Sequence, residues 1–105
     1  MKYLMVITTT PDKKTARKIS KILIEKSLAG CCQITGPIES HYVWKNRAEI
    51  SKEYLCFIKT SKEKYKNIEK AIKDNHPYEV PEIIAFNITK GLKSYFDWLN
   101  EHIKP

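Results

Sequence analysis

The stretch His76-Pro77-Tyr78-Glu79-Val80-Pro81-Glu82-Ile83, hereafter the Pro-Tyr segment, decides how the second half of this chain folds. Each proline fixes its own φ and moves the preceding residue out of the helical region. We therefore expect a helix to end at His76 and Val80 to be extended. Because an imidazole, a phenol and two carboxylates stand on this stiff connector, the segment resembles a built site more than a slack loop.

Strand and helix patterns alternate on the N-terminal side of this segment. Residues 2–9 are apolar on both parities, which is typical of a strand buried on both faces. Thr10 is predicted to cap a first helix that has Pro11 in its first turn, and Gly30 is predicted to end that helix. The sequence Thr60-Ser61-Lys62-Glu63 has the form of a capping box and predicts the start of a second helix.

A long β-hairpin is predicted between these two helices. Residues 31–44 have an extended pattern that Gly36-Pro37 interrupts with a bulge, and residues 50–60 form the return strand. The connection between the two strands is predicted as a turn over residues 45–48.

The C-terminal side of the Pro-Tyr segment predicts one more strand and one more helix. Residues 82–89 form the fourth strand, and Ser94 and Asp97 are predicted to cap a short last helix. The order β-α-β-β-α-β with a C-terminal helix is that of a ferredoxin-like α+β fold with a four-stranded antiparallel sheet. We expect one domain over residues 1–105.

This topology leaves one face of the sheet without a cover. Right-handed crossovers place both main helices on the same face, while strands one, three and four are apolar on both parities. An uncovered apolar sheet face predicts a partner surface, and the simplest partner is another copy of the chain.

The composition is that of a soluble globular protein, with 42% hydrophobic and 30% charged residues. The apolar run near the N-terminus ends at Thr8, too early for a signal peptide, and no run has the length of a membrane span. We therefore expect a cytoplasmic protein with no membrane partner. The three cysteines lack C-x-x-C spacing and are predicted to be small buried hydrophobic residues.

The net charge of +7 comes almost entirely from lysine, which indicates a solvated surface more than a nucleic-acid footprint. The element order also describes an RNA-recognition module, so RNA binding stays an alternative. The predicted third strand lacks the Lys/Arg-Gly-aromatic signature of that module, and nucleic acid is not expected as a partner. No Ser-His-Asp ordering or phosphate-binding glycine loop is present, so we do not expect an enzyme.

Several motifs in the right order carry a specific resemblance. They are Thr9-Thr10-Pro11-Asp12, Leu28-Ala29-Gly30-Cys31-Cys32, Ile38-Glu39-Ser40-His41-Tyr42-Val43-Trp44, Ile58-Lys59-Thr60, the Pro-Tyr segment and Tyr95-Phe96-Asp97-Trp98-Leu99. Over nearly its whole length the chain resembles the CutA-type divalent-cation tolerance family. The resemblance implies a tight homotrimer like that of PII signalling proteins, with long hairpins that pair across subunits. It also implies tolerance of divalent metals, notably copper, binding of such ions, and no established enzymatic reaction.

Only some of the metal ligands that the resemblance implies are present in this chain. Copper ligands proposed in the family include a cysteine at the end of the first strand and two adjacent histidines before Pro-Tyr, and the positions here are Thr8, Asn75 and His76. One imidazole beside an amide is a poor copper ligand set. We therefore expect copper or zinc to bind weakly, through His76 with Glu79 and Glu82, or through exposed histidines such as His41 and His102.

Two other interpretations of the segment stay open. In one, His76 and Tyr78 only form hydrogen bonds at a subunit interface, and the two glutamates pair with lysines such as Lys59. In the other, the protein is a PII-like signalling or scaffold trimer that binds a small anionic effector in a cleft between subunits. The residues predicted to line that cleft or interface are Tyr42, Trp44, Lys59 and Tyr78.

Overall fold

A computed structural model of the protein describes residues 2–103. The strands are β1 (Tyr3–Thr10), β2 (Cys31–Trp44), β3 (Arg47–Ser61) and β4 (Ile83–Ile88), and the helices are α1 (Lys13–Glu25), α2 (Tyr65–Asp74) and α3 (Lys93–Glu101). All strand pairs are antiparallel and the sheet order is β2-β3-β1-β4, which confirms the ferredoxin-like α+β prediction. Met1, Lys104 and Pro105 of the domain predicted over residues 1–105 lie outside the described residues.

The hydrophobic core lies between one face of the sheet and the helices α1 and α2. Alternate side chains of the two central strands meet side chains at helical spacing, and the buried set is Val6, Ala16, Ile19, Leu23, Ala29, Cys56, Ile58, Ile68 and Ile72. This core places both helices on the same face of the sheet, as the crossover rule predicted.

The opposite face carries apolar side chains that α1 and α2 do not cover. Strand alternation places Met5 and Ile7 of β1 on this face, beside Phe57 of β3 and beside Ile84 and Phe86 of β4. The side chains of Ile84 and Phe86 are 45% and 50% exposed. We call these five residues the open face.

Helix α3 covers one end of this side of the sheet. The Tyr3 ring stacks on Phe96 with 4.6 Å between ring centroids, and the Lys59 ammonium donates to the Tyr95 hydroxyl at 3.3 Å. Within residues 2–103, no helix is long and apolar enough to cross a membrane.

The β2-β3 hairpin extends well beyond the rest of the sheet. Because β1 pairs only with residues 54–61 of β3, residues 38–53 form an arm whose two strands pair with each other.

The predicted bulge is confirmed between Thr35 and Ile38. The connecting turn is shorter than predicted, since Lys45 and Asn46 take φ values of 49° and 64° and Arg47 already belongs to β3. Two residues at positive φ give the tight turn that matches the twist of the strands.

The predicted caps of α1 are wrong at both ends. Thr10 is the last residue of β1, and the N-cap is Asp12, whose carboxylate accepts a 2.7 Å hydrogen bond from the Thr15 amide. The helix ends at Glu25, where Ser27 turns the chain with a φ of 55°. Gly30 is needed for a different reason, because a Cβ there would lie 2.5 Å from the Leu99 Cδ1 of α3.

The predicted starts of the other two helices are also wrong. Thr60 and Ser61 still belong to β3, and Lys62–Lys64 form a 3-10 turn before α2 begins at Tyr65. The Thr60 hydroxyl donates to the Leu28 carbonyl, and neither the 3-10 turn nor α2 has a side-chain cap hydrogen bond. Ser94 and Asp97 lie inside α3, whose N-cap residue is Leu92.

Candidate functional site: the cleft beside the Pro-Tyr segment

The Pro-Tyr segment connects α2 to the edge strand β4 and passes the end of β1. Together with residues 40–44 of β2 on the hairpin arm, and Glu53 at the base of the arm, it forms an open cleft of about 850 Å³. Six of the residues predicted as ligands or as lining residues lie along this cleft, and they are His41, Tyr42, Trp44, Tyr78, Glu79 and Glu82. The structure therefore brings together residues that are far apart in the sequence.

Both ring nitrogens of His76 form hydrogen bonds with the backbone. Nε2 lies 2.7 Å from the Thr9 carbonyl, and Nδ1 lies 3.1 Å from the amide nitrogen of Tyr78. A carbonyl can only accept and a backbone amide can only donate, so the ring carries its proton on Nε2 and accepts at Nδ1. His76 thus fixes the Pro-Tyr segment to the end of β1.

Two residues further along, Tyr78 contacts a buried carboxylate. Its hydroxyl donates to Glu53 Oε2 at 2.8 Å, and Glu53 of β3 is only 6% exposed. Burial, followed by the hydrogen bond to Glu53, raises the pKa of Tyr78 above its ordinary value, so the phenol stays protonated and donates. Among residues 2–103, no lysine, arginine or histidine nitrogen lies within 4.0 Å of the Glu53 carboxylate.

Glu53 is not among the residues that the sequence predicts for the site. The signal that could have found it is its parity, since it shares a strand face with the apolar residues Leu55 and Phe57. A carboxylate on that face has to be hydrogen-bonded or paired when it is buried.

Carboxylates dominate the charge of the cleft. Glu53, Glu79 and Glu82 all line it, whereas no lysine or arginine of the described chain does. Aromatic rings of Tyr42 and Trp44 on the arm are 42% and 39% exposed. The cleft is therefore an acidic and aromatic surface on a chain whose net charge is +7.

Lys59 lies away from this group. Its ammonium stands over the Tyr95 ring of α3, 5.4 Å from the centroid, and it does not line the cleft. The lysine–carboxylate pairs of the described residues are Lys70–Asp74 and Lys93–Asp97, which are exposed i,i+4 pairs on helices. The structure therefore does not bring Lys59 to Glu79 or Glu82.

The resemblance implies copper ligands at the positions of Thr8 and Asn75. Thr8 is fully buried on the core side of β1, and its hydroxyl has no hydrogen-bond partner among residues 2–103, while the Asn75 side chain donates to the Ala71 carbonyl at the end of α2. In residues 2–103, no three His, Cys, Asp or Glu side chains lie close enough together to hold one metal ion. The ligand set of His76, Glu79 and Glu82 stays a prediction.

Two of the three cysteines, Cys32 and Cys56, offer no easily ionised thiol to a metal. Cys56 is fully buried, and Cys31 and Cys32 are half-buried. Burial, with smaller effects of Cys56 and Cys31, raises the pKa of Cys32 to about 12. Burial also raises the pKa of Cys56. Because metals bind the thiolate, these two protonated thiols are poor ligands.

The sheet order, the extended hairpin and the acidic cleft define a ferredoxin-like subunit with a projecting β-arm. The family model described as "CutA1 divalent ion tolerance protein" matches residues 4–102. The chain is also 37% identical over 98 residues to the "Divalent-cation tolerance protein CutA" of Thermus thermophilus, which covers 93% of this chain and 95% of that protein. The chain belongs to the CutA1 divalent ion tolerance protein family, which confirms the resemblance in the sequence.

Solved structures agree with this assignment along the whole chain. The CutA1 structure from Oryza sativa matches with a TM-score of 0.96 at 32% identity, covering 99% of this chain and 95% of the other. CutA1 from Shewanella sp. SIB1 matches with a TM-score of 0.94 at 38% identity, covering 98% and 96%.

The Tyr78 hydroxyl should matter more for stability than an ordinary tyrosine hydroxyl. Replacing Tyr78 by Phe leaves the buried Glu53 carboxylate without its donor, so we expect a loss of roughly 1–3 kcal/mol in the free energy of unfolding. The matched control is Tyr65→Phe, which removes a hydroxyl that bonds Glu69 one helical turn away. That i,i+4 contact contributes only about 0.2–0.5 kcal/mol.

Urea unfolding of both variants at one fixed subunit concentration measures the difference. Equal losses for the two variants would show that the bond between Tyr78 and Glu53 has no special weight.

Proposed function

We propose that the protein is a cytoplasmic, non-enzymatic homotrimer that takes part in tolerance of divalent metals, copper above all, and that binds these ions weakly. Membership of the CutA1 family is the observation that carries the metal role. Relatives from Thermus thermophilus and Archaeoglobus fulgidus are named divalent-cation tolerance proteins.

Two separate apolar surfaces support the homotrimer. One is the open face of the sheet, and the other is the arm, where Val43 and Ile50 are 72% and 65% exposed. Because the two surfaces differ, the arm of one subunit can pack on the neighbour's sheet in a head-to-tail contact that closes into a ring. Exposed apolar surface of this extent is typical of an interaction surface.

Light scattering at micromolar concentration should give three times the subunit mass of 12.3 kDa.

Phe86→Glu should dissociate or unfold the assembly, because it places a charge on the open face. Asn87→Glu is the matched control, since it adds the same charge to the same strand on the opposite parity. A monomeric or dimeric wild type would contradict the proposed trimer. Equal behaviour of the two variants would show that the open face is not part of the subunit interface.

Weak metal binding follows from the contacts of the candidate ligands. The only accepting nitrogen of His76, Nδ1, already holds the Tyr78 amide, so a metal there has to break that hydrogen bond. Glu79 and Glu82 are exposed and supply hard oxygen donors. A nanomolar site needs about −12 kcal/mol, which one displaced imidazole and two solvated carboxylates do not supply.

The acidic lining of the cleft does not favour the alternative of an anionic effector. Three glutamates face the cleft, and Lys59, the cation predicted for that effector, lies against α3.

Isothermal titration with Cu²⁺ should give a dissociation constant in the micromolar range. We expect His76→Ala and Glu79→Gln/Glu82→Gln each to weaken binding by about tenfold or more, since each removes ligands from the set. His102→Ala tests the alternative ligand, an exposed imidazole beside Trp98 at the end of α3, and should bind Cu²⁺ as the wild type does. The proposal fails if the wild-type constant is nanomolar, or if Cys31→Ser/Cys32→Ser abolishes binding while His76→Ala leaves it unchanged.

A further inference from the structure

We propose that the cleft binds an aliphatic polyamine, with ammonium groups on the carboxylates of Glu53, Glu79 and Glu82 and the methylene chain against the rings of Tyr42 and Trp44. This inference goes beyond the metal role, because the ligand is an organic cation and its binding requires no metal ion.

The buried carboxylate of Glu53 is the first argument. At 6% exposure it is shielded from bulk water, and in the described part of the chain its hydrogen-bond partner is the neutral hydroxyl of Tyr78 on Oε2. A buried carboxylate with one neutral donor is poorly compensated, and a cation that donates hydrogen bonds supplies what is missing. Since Glu53 lines the cleft, a ligand in the cleft can reach it.

The walls of the cleft point to an organic cation. Rings of Trp44, Tyr42 and Tyr78 line it, and ammonium groups are attracted to the faces of such rings. The chain itself shows one such contact, since the Lys45 ammonium lies 5.9 Å from the centroid of the Trp44 ring. Val80, which is 67% exposed, and Pro81 add apolar surface to the same lining. A lining that combines carboxylates with apolar and aromatic side chains suits a ligand that carries both ammonium groups and methylenes. The volume of about 850 Å³ lies within the usual range for small-molecule sites.

The positive net charge of the chain restricts polyamine binding to the cleft. A protein with a net charge of +7 repels polycations over most of its surface, so non-specific attraction does not account for binding of a polyamine. The three carboxylates of the cleft form an acidic site within this basic surface. A hydrated inorganic cation such as Mg²⁺ carries no methylene chain and so cannot make the apolar contacts with the rings.

The position of the cleft decides which form of the protein the experiment uses. Glu53 has the same parity on β3 as Leu55 and Phe57, so the cleft lies on the same side of the sheet as the open face. A neighbouring subunit on the open face therefore stands next to the cleft. Binding has to be measured on the full chain in its native assembly, after dialysis against a chelator.

Isothermal titration with spermidine should give saturable binding in the range of about 10–100 μM, and Mg²⁺ at the same ionic strength should give none in that range. Glu53→Gln, an isosteric change, should weaken spermidine binding by about tenfold or more, which is the effect of one hydrogen bond to a charged group. Glu79→Gln/Glu82→Gln should do the same, and it keeps the experiment decisive if Glu53→Gln does not fold. The control is Glu63→Gln, an exposed glutamate on the 3-10 turn, which should bind as the wild type does.

Three results would overturn the proposal. The first is the absence of saturable heat with spermidine up to millimolar concentration, which is the outcome if a partner subunit fills the cleft. The second is unchanged binding in both cleft variants. The third is equal binding of Mg²⁺ or of citrate, since the site would then recognise charge alone or the opposite charge. A failure of Cu²⁺ binding leaves the spermidine result intact, so the two proposals are tested separately.

Discussion

The cleft depends on the two hydrogen bonds of the His76 ring. The Thr9 carbonyl and the Tyr78 amide hold that ring from opposite sides and fix the Pro-Tyr segment to the end of β1. With the segment in this place, the Tyr78 hydroxyl reaches Glu53 across 25 positions of sequence. The two prolines keep the short connector from relaxing into other conformations. His76, the first residue of the segment, therefore has a structural role, and a metal ion that binds its ring has to displace one of these hydrogen bonds.

Assembly and ligand recognition use adjacent regions of one sheet surface. The open face is apolar and suits a second copy of the chain, while the cleft at its border is acidic and aromatic. Lysines of the described pairs lie on helix surfaces, and Lys59 is held at α3. No lysine or arginine of the described residues lines the cleft, although the Lys45 ammonium lies 5.9 Å from the centroid of the Trp44 ring. The cleft therefore offers a cationic ligand an acidic place on a basic chain.

The fold was predictable because its signals are periodic and local. Helical spacing of Ile19 with Leu23, and of Ile68 with Ile72, and the two-residue period of the strands, are properties of the sequence itself. The helix caps were not predictable in the same way. Thr10 is a good cap residue, yet strand pairing with Tyr54 holds it in β1, and such pairing depends on tertiary structure.

The site was predictable where its residues are close in sequence. His76, Tyr78, Glu79 and Glu82 stand together in one segment, so their chemistry attracts notice without a structure. Glu53 escapes notice because its partner comes from another element, and its burial follows only from how the segment crosses the sheet. For the same reason no sequence pattern shows that Lys59 turns towards Tyr95 of α3.

The tautomer of the His76 ring shows directly whether this residue fixes the Pro-Tyr segment to the end of β1. Nitrogen-15 chemical shifts of the histidine side chains, assigned with His41→Ala and His102→Ala, report which ring nitrogen carries the proton. The structure predicts one fixed state for His76, with a protonated Nε2 and an accepting Nδ1. A proton on Nδ1, or the averaged signals of a freely exchanging ring, would contradict the account, because the Pro-Tyr segment would then not be held by this residue.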